Sequence, residues 1–203
     1  MRLLRHLPTS ARTGEFNGWR DVDIIADWRL APYPIDDEMK KSIESVLQNP
    51  PHRIFVSPLM RAQKTASRLI ELSGLSIEPL INELLKEMYF GDSEGLIWQE
   101  IEERYPKESQ NWLNNWTTPF PGKGESIFDV ASRLIKFLDD DRPTSDDLVV
   151  CHAGIIKAFL ALESNDKKDL LRPIPYNSLH QIDLLKVKKH SIEFFVLDPL
   201  SRR

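Results

Sequence analysis

Residues 148–162 read LVVCHAGIIKAFLAL, and the fold class follows from them. The four apolar residues LVVC (148–151), set behind Asp146-Asp147, predict a short buried strand. A helix of roughly Ile155 to Leu162 follows Gly154. The same order recurs upstream. RIFV (53–56) predicts a buried strand, and Ser57-Pro58 an N-cap followed by proline at the first helical position. Ala62, Ala66, Leu69 and Ile70 form the inward face of the helix expected from there to about Leu72. RLLRH (2–6) predicts the opening strand. A helix over about 36–48 is expected from Asp36 as N-cap, from Met39, Ile43, Val46 and Leu47 on one face, and from Pro50-Pro51 as its stop. Ser126 and Asp129 resemble a capping box ahead of apolar positions 127, 130, 131, 134, 135 and 138, the spacing of an amphipathic helix. Extended segments are expected at 76–81, 178–185 and 192–197, the last two joined through KVKKH. Strands alternating with helices favour a layered α/β fold.

The chain carries 27 Lys+Arg against 31 Asp+Glu, a net charge of −4, over 203 residues. This balance argues against a nucleic-acid partner, which calls for a basic surface, but leaves room for a small basic pocket. A hydrophobic share of 41% beside 29% charged residues is that of a soluble globular protein, so one domain over 1–203 is expected, with a core that needs no metal or disulfide. No apolar run approaches the ~18–20 residues of a membrane span, and Arg2 and Arg5 come too early for a signal peptide. Cys151 is the only cysteine, which excludes an intramolecular disulfide and points to a reducing, cytoplasmic setting. His6, His52, His152, His180 and His190 show no metal-ligand spacing, which argues against a dedicated zinc site, and no cofactor is expected. The stretch 94–125, with Trp98, Trp112, Trp116 and the close PFPGKG, reads as a cap-like insertion over one edge of the sheet.

Three strand-to-helix junctions carry cationic or cation-capable side chains: Arg5-His6, Arg61 and His152. Ligands of open α/β sheets bind at the carboxyl ends of strands, so parallel neighbours would bring these groups to one edge. Their chemistry suits a phosphate, because a guanidinium fork matches phosphoryl oxygens. Arg61 falls in the first turn of its expected helix, where the macrodipole disfavours a cation and a bound anion would reverse the penalty. Successive strand residues point to opposite faces, so Arg5 and His6 can share a pocket only where the strand ends. Cys151 sits in an apolar strand without an activating neighbour and reads as structural.

The segments LLRHLPT, SPLMRAQKTA, LLKEMYFGDSEG, GKGESIFDVASRL and VVCHAGIIKAFL follow one another in an order and spacing that resembles the histidine phosphatase superfamily, which includes the cofactor-dependent phosphoglycerate mutases. FGDSEG, WLNNW and GKGES look most similar to α-ribazole phosphatases of the cobalamin pathway. The resemblance implies a phosphoglycerate mutase-like fold: a three-layer αβα sandwich whose mostly parallel sheet is flanked by helices. It implies that His6 is the residue phosphorylated, that Arg5 and Arg61 clamp the phosphoryl oxygens, that His152 completes the pocket, and that Glu87 is the proton donor. Asn17 and Trp19 are the implied substrate contacts. The implied partner is a small-molecule phosphomonoester, with no metal, nucleic acid or membrane involved. The implied activity is that of a phosphomonoester hydrolase, α-ribazole 5′-phosphate being the first candidate substrate. Sugar phosphates, nucleotides, phosphoserine and a mutase reaction are the alternatives. Leu7-Pro8 stands where the family carries glycine, which raises one reading from another class, a phosphate-binding regulatory module without turnover.

Overall fold

The computed structural model describes residues 1–25 and 37–188. Five strands form one sheet: β1 (Arg2–Arg5), β2 (Ile54–Val56), β3 (Leu80–Ile81), β4 (Leu148–Cys151) and β5 (Leu179–Gln181), in the order β3-β2-β4-β1-β5. β3, β2, β4 and β1 run parallel, and β5 closes the edge antiparallel to β1. Helices α1 (Asp37–Gln48) and α2 (Met60–Ser73) cover one face, while α5 (Ile127–Asp140) and α6 (Ala153–Ser164) cover the other. Between α2 and α5 the chain forms the short helices α3 (Trp98–Arg104) and α4 (Pro106–Asn114). The architecture is the expected three-layer α/β sandwich.

The strands are continuously apolar because both faces are buried. Leu4, Ile54, Val56, Leu148 and Val150 pack with Val46 of α1 and with Ala62, Ala66 and Leu69 of α2. Leu3, Phe55, Val149 and Cys151, the alternate residues, pack with α5 and α6. Each fully buried side chain of this size contributes roughly 1.5–3 kcal/mol. Ser126 starts α5 as a capping box: its hydroxyl accepts from the Asp129 N–H at 3.3 Å, and the Asp129 carboxylate accepts from the Ser126 N–H at 2.8 Å.

Three local expectations need correction. Ser57 does not cap α2, which begins at Met60 with Leu59 in the capping position and no side-chain cap. The Ser57 backbone still belongs to the sheet, its N–H donating to Val150 at 3.1 Å, and its hydroxyl is engaged elsewhere. The segment 178–185 is strand only at Leu179–Gln181, because the Asp183 carboxylate accepts from the N–H groups of Leu185 and Lys186 and opens helical turns from residue 184. Leu47 does not share the buried face of α1; it is 52% exposed. Asp36 as N-cap and the strand expected at 192–197 lie outside the described residues.

Candidate active site

The register of the parallel strands assembles the site. Arg5 pairs with Cys151 across β1 and β4, so the next residues, His6 and His152, leave the sheet side by side. The His6 N–H still donates to the Cys151 carbonyl at 3.0 Å, and the two imidazole centroids are 5.1 Å apart. β2 flanks β4 on the other side and delivers Ser57 and, one helical turn on, Arg61. These carboxyl ends open into a cavity of about 440 Å³.

His6 is buried, and its Nδ1 lies 2.6 Å from the Leu7 carbonyl oxygen. A carbonyl only accepts, so the proton sits on Nδ1 and the lone pair on Nε2, on a ring that lines the cavity. Burial takes this imidazole down to about 3, helped by the Arg61 and Arg5 guanidiniums and opposed by the bond to Leu7. The ring is therefore neutral at physiological pH.

Arg61 is almost completely buried in the first turn of α2. Its Nε donates to His152 Nδ1 at 3.3 Å, Nη1 to the Arg20 carbonyl at 2.8 Å and Nη2 to the Gly18 carbonyl at 2.6 Å. Each terminal nitrogen carries a second N–H, so the fork retains donors for a ligand. Arg5 gives Nη1 to the Ile174 carbonyl and lies over the Tyr176 ring at 3.7 Å, while its buried Nε has no partner. Desolvation disfavours the charge on both arginines, and the nearby Glu87 carboxylate partly counters it. The Glu87 oxygens accept from the N–H of Met88 at 2.9 Å and of Gly154 at 3.2 Å. That second bond needs glycine: a Cβ on residue 154 would stand 2.4 Å from Glu87 Oε1.

Arg5, His6, Asn17, Arg61 and Glu87 all line the cavity. Asn17 presents a buried Oδ1 without a partner, whereas Arg12 turns outward onto Glu100 at 2.8 and 2.9 Å. His152 and Trp19 are not in the lining. His152 is fully buried behind Arg61, its Nε2 donating to the Ser57 hydroxyl at 2.7 Å. Trp19 is 40% exposed; its indole N–H donates to the Glu87 carbonyl at 2.7 Å and its ring packs 4.9 Å from Tyr89. Sequence reasoning missed Ser57 as the partner of His152 and Tyr176 as the platform under Arg5. Ser57 had a signal, its place in S-P-x-x-R, but Tyr176 had none.

Opposite the polar floor stands an aromatic wall. Trp112 stacks on Trp116 with centroids 6.0 Å apart and meets Phe120 edge-on at 5.0 Å, and Phe16 and Phe90 extend the surface. Leu113 and Leu171 also line the cavity while remaining well exposed, which leaves its mouth apolar. Among the described residues no cluster of His, Cys, Asp and Glu could hold a metal ion, and no helix is long and apolar enough to cross a membrane.

Comparison with known proteins decides the family. The sequence model of the histidine phosphatase superfamily (branch 1) matches residues 2–194. The chain belongs to this superfamily. Among histidine phosphatases and their kin, it is 28% identical over 164 residues to a 2,3-bisphosphoglycerate-dependent phosphoglycerate mutase of Cytophaga hutchinsonii, covering 76% of this chain and 72% of that one. It is 28% identical over 138 residues to an adenosylcobalamin/alpha-ribazole phosphatase of Salmonella typhimurium, covering 64% and 67%. The solved structure of a mycobacterial glucosyl-3-phosphoglycerate phosphatase in complex with VO3 superimposes with a TM-score of 0.70 at 25% identity, covering 90% of each chain.

Proposed function

We propose that this chain is a phosphomonoester hydrolase that works through a phosphohistidine on His6. The observation that carries the reading is the state of that ring: neutral, with Nδ1 tied to the Leu7 carbonyl and the Nε2 lone pair left for attack beside two guanidiniums. Nε2 forms the N–P bond as the P–O ester bond breaks, and Glu87 acts as general acid, giving a proton to the departing oxygen. Water then bonds to phosphorus and yields a proton to the Glu87 carboxylate. The N–P electron pair returns to Nε2 and inorganic phosphate leaves. Arg5 and Arg61 hold the equatorial oxygens through the donors they retain, by charge-assisted bonds. His152 acts through Arg61, receiving its Nε–H and anchored by Ser57, while Trp19 steadies Glu87 from behind. The cationic floor supplies the countercharge that phosphoryl transfer requires, so we propose that turnover needs no metal.

For the substrate we favour a small phosphomonoester with an aromatic or otherwise apolar leaving group, supported by the wall of Trp112, Trp116 and Phe120. α-Ribazole 5′-phosphate, with its benzimidazole, is the first candidate, followed by nucleotides, phosphoserine and sugar phosphates. A single, buried, unpaired cysteine supports a reducing, cytoplasmic setting.

A panel of phosphomonoesters with and without a chelator tests the proposal, together with an acid- and base-quenched search for phosphorylated protein. Chelator-insensitive hydrolysis and a base-stable, acid-labile phosphate that is missing in His6→Gln are expected. Tight phosphate binding with no adduct would instead make the chain a binding module, and full inhibition by the chelator would remove the metal-free mechanism.

A further inference from the structure

Thr65 takes no part in the mechanism above and does not line the cavity, yet it is completely buried and bonded to the backbones of Arg61, which does, and of Leu7, the neighbour of His6. Its hydroxyl accepts from the Leu7 N–H at 2.9 Å and donates to the carbonyl of Arg61, one turn back in α2, at 2.6 Å. The carbonyl of the same residue, in the next peptide group, holds His6 Nδ1 at 2.6 Å. Thr65 Oγ1 therefore ties the helix turn that carries Arg61 to the backbone of residue 7, and residue 7 in turn bonds the imidazole.

We infer that Thr65 is a positioning residue that sets the tautomer and aim of His6 by anchoring Leu7. The Leu7 side chain is buried with Ile24 and Met39, and the flanking backbone is held by His6 N–H to Cys151 and by Ile25 N–H to the Pro8 carbonyl. The bond to Thr65 is the one that fixes the N–H of residue 7 itself, and Pro8 beyond it has no N–H to donate. The same bond gives a physical account of the departure at residue 7. Leu7 is not among the described non-glycine residues with positive φ, so leucine is unstrained there. Its N–H is already committed to Thr65, so it is not offered to a phosphate. The backbone contact a glycine loop makes available is thus replaced by a fixed strut under the nucleophile. An acceptor that orients a functional imidazole through its second nitrogen changes activity by about 10- to 100-fold when its support is lost, by analogy with histidines at metal sites.

The kinetic part of the test rests on the proposed hydrolase reading, so a second readout is independent of turnover. Thr65→Val removes the hydroxyl at similar volume, Thr65→Ser retains it, and Thr65→Ala replaces Thr65→Val if the latter does not fold. The expected result for Thr65→Val is a fall in kcat of about tenfold with KM within about twofold, and Thr65→Ser close to wild type. Nitrogen NMR of His6 in the resting protein is expected to show the Nδ1–H tautomer in wild type and Thr65→Ser, and a tautomer mixture in Thr65→Val. An unchanged His6 tautomer in Thr65→Val, or equal loss of kcat in Thr65→Val and Thr65→Ser, would overturn the inference. If the wild type neither turns over nor forms an adduct, the hydrolase reading fails while the tautomer comparison still decides the role of Thr65.

Discussion

At the floor of the cavity, His6, Arg61 and Glu87 are each held by hydrogen bonds of fixed direction, most of them to backbone carbonyls or amides. At the wall, Trp112, Trp116 and Phe120 hold one another by ring packing, and the Trp112 indole nitrogen is buried without a partner. Directional bonds tolerate little displacement, so changes on the floor should act on the chemical step and act strongly. Dispersion and burial vary smoothly with shape, so changes on the wall should act on binding, by degrees, and only for substrates that reach it.

The sharpest way to break this contrast is Arg61→Lys. Lysine keeps the charge but cannot bond Gly18, Arg20 and His152 together while facing a phosphoryl group, so kcat/KM in a steady-state assay should fall about 100-fold. A loss below about threefold would show that charge alone matters on the floor.

Gly154→Ala comes next. The added Cβ would meet Glu87 Oε1 at 2.4 Å, and the end of a flexible side chain can retreat. Stability should therefore change little, while kcat falls about tenfold because the proton donor is displaced. A large drop in Tm with kcat retained would reverse that assignment.

On the wall, Trp112→Leu or Trp116→Leu should raise KM for aryl phosphates by roughly 3- to 10-fold and leave glycerol phosphate nearly unaffected, the range expected for losing one aromatic contact. Equal losses for both substrates would mean that the tryptophans serve packing and not recognition.

The last effect concerns stability rather than turnover. His6 takes up its proton near 6.5 when unfolded but only near 3 in the fold. Between those values the unfolded state binds the additional proton, so stability falls as pH drops from about 6.5 toward 3, and is untouched above that window. His152, also held neutral by burial beside Arg61, acts with the same sign. The His6→Gln variant cannot take up this proton, and its Tm should decline less steeply than wild type between about pH 6.5 and 4. Parallel slopes would place His6 in a solvated environment.

Local pattern alone identifies β1, β2, β4 and α5, because a short apolar run or a capping box with apolar spacing encodes its own geometry within a few residues. The strand-to-helix junctions single out Arg5, His6 and Arg61, and the family resemblance adds Glu87; all four line one cavity. What only the tertiary structure decides is how distant peptides meet. The pairing of Arg5 with Cys151 brings His6 beside His152, the Ser57 hydroxyl meets imidazole 152, and Thr65 grips residue 7 across 58 positions of chain. The aromatic wall adds Phe16 and Phe90 to the Trp112, Trp116 and Phe120 of the 94–125 stretch, and nothing near Phe16 in the sequence points to that meeting. Periodicity and caps are short-range properties written into neighbouring residues. Register across a sheet, and the partner a hydroxyl meets, depend on which groups burial has brought within hydrogen-bond reach, and that is settled only when the whole chain packs.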